Sequence, residues 1–596
     1  MDIQVDRNAV EPSSSSPSPL YYLLNFERAL AWVSERYDDL LDVIEREFAS
    51  AFARLPLASR ALLVRMLMRN GPRFRTSKLN YAEIGCPLAA AAPLIALGWI
   101  DPEPHLSIDD LFALATRPEL ERIFSEAVAL RRCSKSELRE LLRAEYGAQT
   151  RPYRAWDATS DEQVFELEIT PVCDRVRLMF FGNLHQSWSE FVLADLGVYR
   201  YEAVSLEPSA RAFQRRSDVD AYLALQACRE ALEGIDGVDG IAALRELFGA
   251  VLGMPIDNAW LEMRRAKLFY RIGYRAEQMR NWEFALEVYE RSQWPEARHR
   301  RMRVLERCAR FGDAFALVTR ALEAPENEAE YQRAARMMPR LARRLGQAVQ
   351  RAAEPAGFAR STLTLMRPAV PVAVEYVVQD HLDAPQAPVF YVENTLINSL
   401  FGLLCWEAVF EPVPGSFFHP FQRGPADLHA PDFLARRAET FARCFAQLDS
   451  DAYHDTIWRH YERKAGMQSP FVFWGALTSS LMTLALDCLP ARHLKLWFAR
   501  LVSDIRANRS GLPDLIRFWP TDRRYELIEV KGPGDRLQDN QIRWLAYCAQ
   551  HGMPARVLDV RWEGEAEAEV DGEGGIDGSS DCAVAGVTTP DAGVTP

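Results

Sequence analysis

Asp514 and the pair Glu529 and Lys531 are the residues whose types and spacing best suit chemistry in this chain. Asp514 follows Gly511-Leu512-Pro513 and opens the apolar run Leu515 to Trp519. Pro520-Thr521-Asp522-Arg523 reads as a turn and Tyr525 to Val530 as a second strand. A hairpin centred on that turn sets Asp514 opposite Glu529. Glu529 and Lys531, two apart on one strand, share a face. Facing carboxylates repel unless a cation lies between them. Their hard oxygens suit Mg2+ or Mn2+, and a lysine beside them can polarise a phosphate or help activate water. Taken alone, Glu529-Val530-Lys531 also fits a surface hairpin with scattered charges.

The neighbouring elements narrow that choice. Asp535 is placed to cap a helix, with Gln538 as its capping-box partner. That helix carries a stripe of Leu537, Gln541, Trp544, Leu545 and Cys548, on which Gln541 is the lone amide. A buried amide needs a partner, and the carboxylate site or its water offers one. Ala555 to Trp562 reads as a closing strand. Tyr391 to about Phe410 reads as a helix that places Glu393, Ile397, Leu400 and Leu404 on one face. Glu393 on that apolar stripe requires a partner, either an ordinary ion pair or the metal, as a third ligand. Of the cations ahead of Asp514, Arg509 is the favoured phosphate contact, with Arg506 beside it, because a guanidinium grips phosphate oxygens two at a time.

Further upstream the periodicity is helical. Tyr21, Leu24, Phe26, Leu30, Val33 and Tyr37 recur at helical spacing. Arg69, Arg73, Arg75 and Lys78 follow an apolar helix, where phosphate contact and the helix dipole are equal readings. Cys86 to Ile100 reads as a buried helix and turn. Ser107 and Ser134 each start a capped helix. Between Ser217 and Arg344 the pattern is almost all helical. Asn281-Trp282-Glu283-Phe284-Ala285-Leu286 is partly echoed by Asp313-Ala314-Phe315-Ala316-Leu317, an offset close to a tetratricopeptide period. Arg298 to Arg310 is strongly basic, which suits a solvated helix face first and a DNA track second. Ser416 to Phe433 reads as an insertion loop, and Phe471 to Leu486 as a buried helix.

At 596 residues the chain suits several domains. Its ten cysteines form no CxxC pair, which favours a reducing compartment and excludes a disulfide framework or zinc knuckle. The longest apolar stretch is too short for a confident membrane span and holds Pro87 and Pro93. The net charge of -13 counts against a nucleic-acid enzyme. Nine acids and no base fall in residues 563–596, however, leaving a formal -4 on the remainder.

Pro513-Asp514, then Glu529-Val530-Lys531, resembles the PD-(D/E)xK nucleases. With Gly532-Pro533, Asp535-Arg536-Leu537, Gln541 and Trp544, the C-terminal stretch resembles the virus-type replication-repair nuclease (VRR-NUC) domain. Tyr21 to Phe26, Leu62 to Leu67 and Lys78 to Gly85 extend the likeness to the Fanconi-associated nuclease family, from about Leu20 to Trp562. Ser134 to Leu142 resembles a SAP-type DNA-binding helical pair. No paired cysteines of a ubiquitin-binding zinc finger precede Tyr21, so the chain is similar to the shorter bacterial form.

The resemblance implies an α+β multidomain protein. A mostly helical N-terminal region and tetratricopeptide-like repeats would precede an α/β restriction-endonuclease-like core. Expected boundaries are a tether at 1–19, a helical DNA-binding region with the SAP-like segment at 20–150, a connecting segment at 151–216, helical repeats at 217–388, the VRR-NUC domain at 389–562 and an acidic tail at 563–596. The implied activity is cleavage of 5′-flap and branched DNA, with 5′-to-3′ exonuclease action, in DNA repair including interstrand cross-links. Asp514, Glu529 and Lys531 match the catalytic trio, Glu393 the helix glutamate of the metal site, and Gln541 the domain's glutamine. Asp514, Glu529 and the Val530 carbonyl are expected to hold Mg2+ or Mn2+, completed by Glu393, with no other small-molecule cofactor. Partners are expected to be branched or 5′-flap duplex DNA and no membrane, in the bacterial cytoplasm near the nucleoid. The alternatives are a four-way-junction resolving nuclease and a non-catalytic scaffold binding branched DNA.

Overall fold

The computed structural model describes residues 19–69, 71–125, 134–188, 199–235, 240–347 and 357–564. The expected tether, save its last residue, and the acidic tail beyond residue 564 lie outside the described residues. The described chain is mostly helical with a sheet-containing C-terminal part.

The N-terminal core begins with helices Tyr21–Arg36, Val43–Arg54 and Leu57–Leu67. Tyr22, Leu23, Phe26, Ala29, Leu30 and Val33 are buried along the first of these. Leu24, placed on the apolar stripe from sequence, is 44% exposed. The inward line through Phe26 runs back three and four residues to Leu23 and Tyr22, which leaves Leu24 on the opposite side. Cys86 to Ile100 forms helix Pro87–Ala96 and a short strand, but with Leu88 and Leu97 exposed. Arg73 and Arg75 lie on a short strand paired with Val164 to Glu166. Arg73 is ion-paired with Glu166 at 3.0 Å and Arg75 with Glu119 and Glu162 at 2.7 and 2.9 Å. Both guanidiniums are therefore occupied in closing the fold. Ser107 and Ser134 form the expected capping boxes, with Asp110 and Glu137.

Helices Arg216–Glu233, Gly240–Leu252, Ala259–Gln278, Trp282–Arg291, Ala297–Arg307, Phe311–Glu323 and Glu328–Arg344 follow. From Ala259 onward each packs on the next. In the basic section, Arg298, Arg300, Arg301 and Arg310 pair with Glu330, Glu277, Glu290 and Asp313. Those four charges are spent within the helical stack.

The segment read as an insertion loop, Ser416 to Phe433, carries no helix or strand, and its first four residues are buried. Phe418 is 1% exposed and belongs to the N-terminal core. Gly182, at φ +69°, leaves the space its ring fills, since a Cβ there would meet the Phe418 ring at 2.3 Å. The region from Phe471 is helical only over Ser479–Cys488 and is preceded by a short turn; Thr478 caps the later start through Leu481.

The C-terminal sheet has five strands: β1 (Ala359–Leu365), β2 (Val389–Tyr391), β3 (Leu515–Trp519), β4 (Arg524–Lys531) and β5 (Ala555–Trp562). Their order is β1-β5-β4-β3-β2. β5 runs parallel to both β1 and β4, whereas β3 runs antiparallel to β4 and β2. Tyr525, Leu527, Ile516 and Phe518 point into the large helical core of this half. Leu515, Ile528 and Val530 point to a smaller core under helix α1 (Val374–Leu382). Strand alternation therefore puts Asp514, Glu529 and Lys531 on the side of the large core.

Candidate active site

The turn at Pro520–Arg523 closes with Arg523 at φ +47°, and the hairpin register pairs Leu515 with Ile528 and Trp519 with Arg524. One step further sets Asp514 opposite Glu529. The Val530 amide donates to Asp514 Oδ2 at 2.8 Å, and the Asp514 carbonyl accepts from the Val392 amide at 2.8 Å. The Asp514 carboxylate is thus held from β4, and its backbone from the residue that follows β2. Asp514 is 6% exposed and Glu529 fully buried. Lys531 Nζ lies 2.7 Å from Glu529 Oε1 as an ion pair. Neither Glu529 oxygen receives a well-aligned hydrogen bond from any described residue.

Burial pushes both carboxyls above the ordinary range. For Asp514, the Val530 amide and Lys531 pull the other way, while Glu393 and Glu375 add to the rise. For Glu529, the charge of Asp514 adds to the burial. Two desolvated acids facing one another, with a buried carboxylate lacking hydrogen bonds, form a site that a cation would complete. The donor set of carboxylate and carbonyl oxygens fits a hard divalent ion.

Glu393 lies close to that pair but is not on a helix. It sits in the turn between β2 and helix α2 (Leu396–Leu404). Asn394, at φ +51°, delays the helix start. Tyr391 OH donates to Glu393 Oε2 at 2.5 Å and Asn394 Nδ2 to Oε1 at 3.1 Å. Among the described residues no three His, Cys, Asp or Glu side chains gather tightly enough to hold an ion by themselves.

Gln541 also differs from expectation. Helix α4 (Asp539–Gln550) begins two residues later than read, because Gln538 is its N-cap and Gln541 closes the capping box. Gln541 Oε1 accepts from the Gln538 amide at 2.8 Å. Asp535 instead accepts from the Gly532 amide at 3.1 Å. Trp544, Leu545 and Cys548 are the buried face of α4. Gly511, at φ +90°, lets the loop before Asp514 touch α4; a Cβ there would lie 2.8 Å from the Asn540 backbone.

Arg506 and Arg509 belong to helix α3 (Ile505–Asn508) and its C-cap. Arg506 is exposed, while Arg509 is half-buried and donates to the Pro470 carbonyl at 2.9 Å. Burial and the neighbouring Arg423 lower the Arg509 pKa. Lys267 is also lowered, by burial and then by Arg506, Arg264, Arg271 and Arg229. The last three line, with Lys267 and Tyr222, a cavity of about 120 Å³. The charge of Arg506 on α3 thus reaches this basic cluster of the helical stack. Sequence reading missed Lys267, Arg423, Tyr391, Asn394 and Glu375. The Asn-Thr step ahead of an apolar run was the signal available for Asn394; the others carry none that links them to Asp514.

The VRR-NUC domain model matches residues 449–562, the FAN1 HTH domain model 20–101, and the Fanconi anemia-associated nuclease SAP domain model 105–156. A Fanconi-associated nuclease 1 homolog of Pseudomonas aeruginosa is 50% identical over 550 residues, covering 92% of this chain and 97% of the relative. The chain belongs to the Fanconi-associated nuclease family. As a member of that family it is a structure-specific DNA nuclease, and its VRR-NUC domain implies dependence on a divalent metal. A homolog of Oryza sativa subsp. japonica is 24% identical, over 93% of this chain and 63% of the relative. The crystal structure of paFAN1 bound to 2nt 5′flap DNA with gap is similar at a TM-score of 0.84 and 50% identity, over 93% of this chain and all of that one. No described helix is long and apolar enough to cross a membrane.

Proposed function

We propose that this nuclease cuts 5′-flap and branched DNA by metal-dependent phosphodiester hydrolysis, with 5′-to-3′ exonuclease action, in repair that includes interstrand cross-links. The observation that carries the reading is the buried pair Asp514 and Glu529, with the Lys531 ammonium beside it. The likeness to paFAN1, solved with 5′-flap DNA, supports the choice of substrate. Asp514, Glu529 and the Val530 carbonyl would hold Mg2+ or Mn2+, with Glu393 completing the site. A bound divalent ion supplies Lewis-acid polarisation of the scissile phosphate.

The protein's own groups do the rest. The Val530 amide orients Asp514. Lys531 is placed to neutralise charge developing on the phosphate and to orient the attacking water. Gln541 fixes the start of α4 beside the loop that carries Asp514. Arg506 and Arg509, with Lys267 and its neighbours, contact backbone phosphates. Recognition then follows branch shape over base sequence. The stack from 217 onward acts as a tetratricopeptide-like scaffold within the boundaries given above, and the enzyme works at the nucleoid in the cytoplasm.

A labelled 5′-flap duplex with Mn2+ tests this reading. Wild type cuts near the junction, whereas Asp514→Ala and Lys531→Ala bind the duplex without cutting. Equal cleavage by either variant would remove the assignment.

A further inference from the structure

We infer that Tyr391 and Asn394 are positioning residues for the metal site, and that they act by fixing the Glu393 carboxylate beside Asp514 and Glu529. The inference rests on the reading of Glu393 as a metal ligand.

Glu393 occupies a turn, where a free carboxylate would sample many rotamers at an entropic cost on binding. Two donors remove that freedom. The Tyr391 hydroxyl holds Oε2 at 2.5 Å and the Asn394 amide holds Oε1 at 3.1 Å. Each carboxylate oxygen has two acceptor sites, so both oxygens keep one for a cation. The donors are themselves anchored. The Tyr391 ring packs on Tyr376 of α1, with centroids 5.3 Å apart. Asn394 Oδ1 accepts from the Leu512 amide at 3.1 Å. Its carbonyl accepts from Asn398 Nδ2 at 2.7 Å, and that same amide reaches the Arg509 carbonyl at 2.9 Å.

The asparagine thus ties the Glu393 turn to the Gly511-Leu512-Pro513-Asp514 loop. A left-handed backbone suits asparagine at this position. The same side chain sets the turn and reports the position of the opposing loop. Partners that orient a ligand in this way typically contribute 10- to 100-fold in metal affinity.

The test uses full-length protein and Mn2+ alone, measured by calorimetry, alongside flap cleavage against Mn2+ concentration. Tyr391→Phe keeps the ring and loses only the donor. It is expected to weaken Mn2+ binding about 10-fold and to move the Mn2+ dependence of cleavage to higher concentration, while its melting temperature in EDTA stays near wild type. Asn394→Gly keeps the positive φ and is expected to weaken Mn2+ binding in the same direction. Glu393→Gln is the control for the underlying reading. If Glu393→Gln weakens Mn2+ binding but Tyr391→Phe leaves it unchanged or tighter, the positioning role is overturned and the ligand reading stands. If Glu393→Gln has no effect on Mn2+ affinity, the ligand reading falls and the positioning role with it.

Discussion

The Val530 amide donates to Asp514 Oδ2 at 2.8 Å, so the strand that bears Glu529 also fixes the carboxylate facing it. The hairpin register keeps the two residues opposite one another. Lys531 offsets part of the repulsion between them, a bound cation would relieve the rest, and activity and stability should oppose one another here.

Asp514→Asn separates the two. The amide keeps an oxygen for the Val530 N–H but removes a negative charge facing Glu529. Cleavage should fall by about 100- to 1,000-fold, the order that one lost electrostatic stabiliser costs, with flap binding retained. In EDTA the variant should melt higher by about 2–4 °C for each ~1 kcal/mol of repulsion relieved. Calorimetric melting with and without Mn2+ checks both halves: added metal should raise the wild-type melting temperature and leave that of the variant nearly unmoved.

His419 gives the fold a dependence on pH. It is buried, stacks on Phe180 at 4.9 Å, and accepts from the Phe421 amide through Nδ1 at 3.2 Å. Burial lowers its pKa to about 3. An unfolded chain takes up this proton near pH 6.5, whereas the folded chain resists it down to about pH 3. Stability from this group is complete above pH 6.5 and falls as the pH drops through the window between those values. Urea unfolding from pH 7 to pH 5 should therefore show a shallower slope for His419→Phe. The difference should approach about 1.4 kcal/mol per pH unit.

Legibility in the sequence divides along the range of the interactions. The hairpin register was readable because a turn and two alternating strands are local. Pro520 to Arg523 and the apolar runs beside it place Asp514 opposite Glu529 without further information. Glu393 was placed near the site but on the wrong element, because the positive φ of Asn394 is stabilised by Leu512, which lies 118 residues away. The helix of Gln541 was read two residues early. Asp535 satisfies the local preference for a cap and Gln538 does not, yet the helix starts after Gln538. The fate of Arg73 and Arg75 was undecidable locally, since their carboxylate partners come from distant segments.

Removing cations should weaken DNA binding in proportion to the phosphates they neutralise. Arg506 is exposed, and among the described residues neither it nor Lys267 is ion-paired with a carboxylate. Arg506→Gln and Lys267→Gln should each flatten the dependence of log affinity on log salt by about 0.9, across all flap sequences and without loss of thermal stability. Arg509→Gln should also lower the melting temperature, because Arg509 holds the Pro470 carbonyl. Fluorescence anisotropy from 50 to 200 mM salt is the measurement, a range over which phosphate contacts dominate.

The helical stack is fastened to the catalytic half by two ion pairs of unequal strength. Arg336 and Asp539 meet at 2.6 Å with both side chains about half exposed, so Asp539→Ala should cost less than about 1 kcal/mol. Arg500 is buried to 3% exposure against Glu328, with its guanidinium 4.8 Å from the Trp544 ring and 4.4 Å from Tyr547. Glu328→Ala strands that charge under two aromatic rings of α4 and should cost about 2–3 kcal/mol, somewhat below the usual value because Glu328 itself is half exposed. Arg500 and α4 both bind the end of α3, which leads into the loop before Asp514, through Asn508, which donates to the Arg500 carbonyl and accepts from Trp544. Loosening this joint should therefore reach the chemistry. Glu328→Ala should lower the cleavage rate at saturating Mn2+ and flap DNA, whereas Asp539→Ala should not, and single-turnover assays on the two variants side by side read the difference.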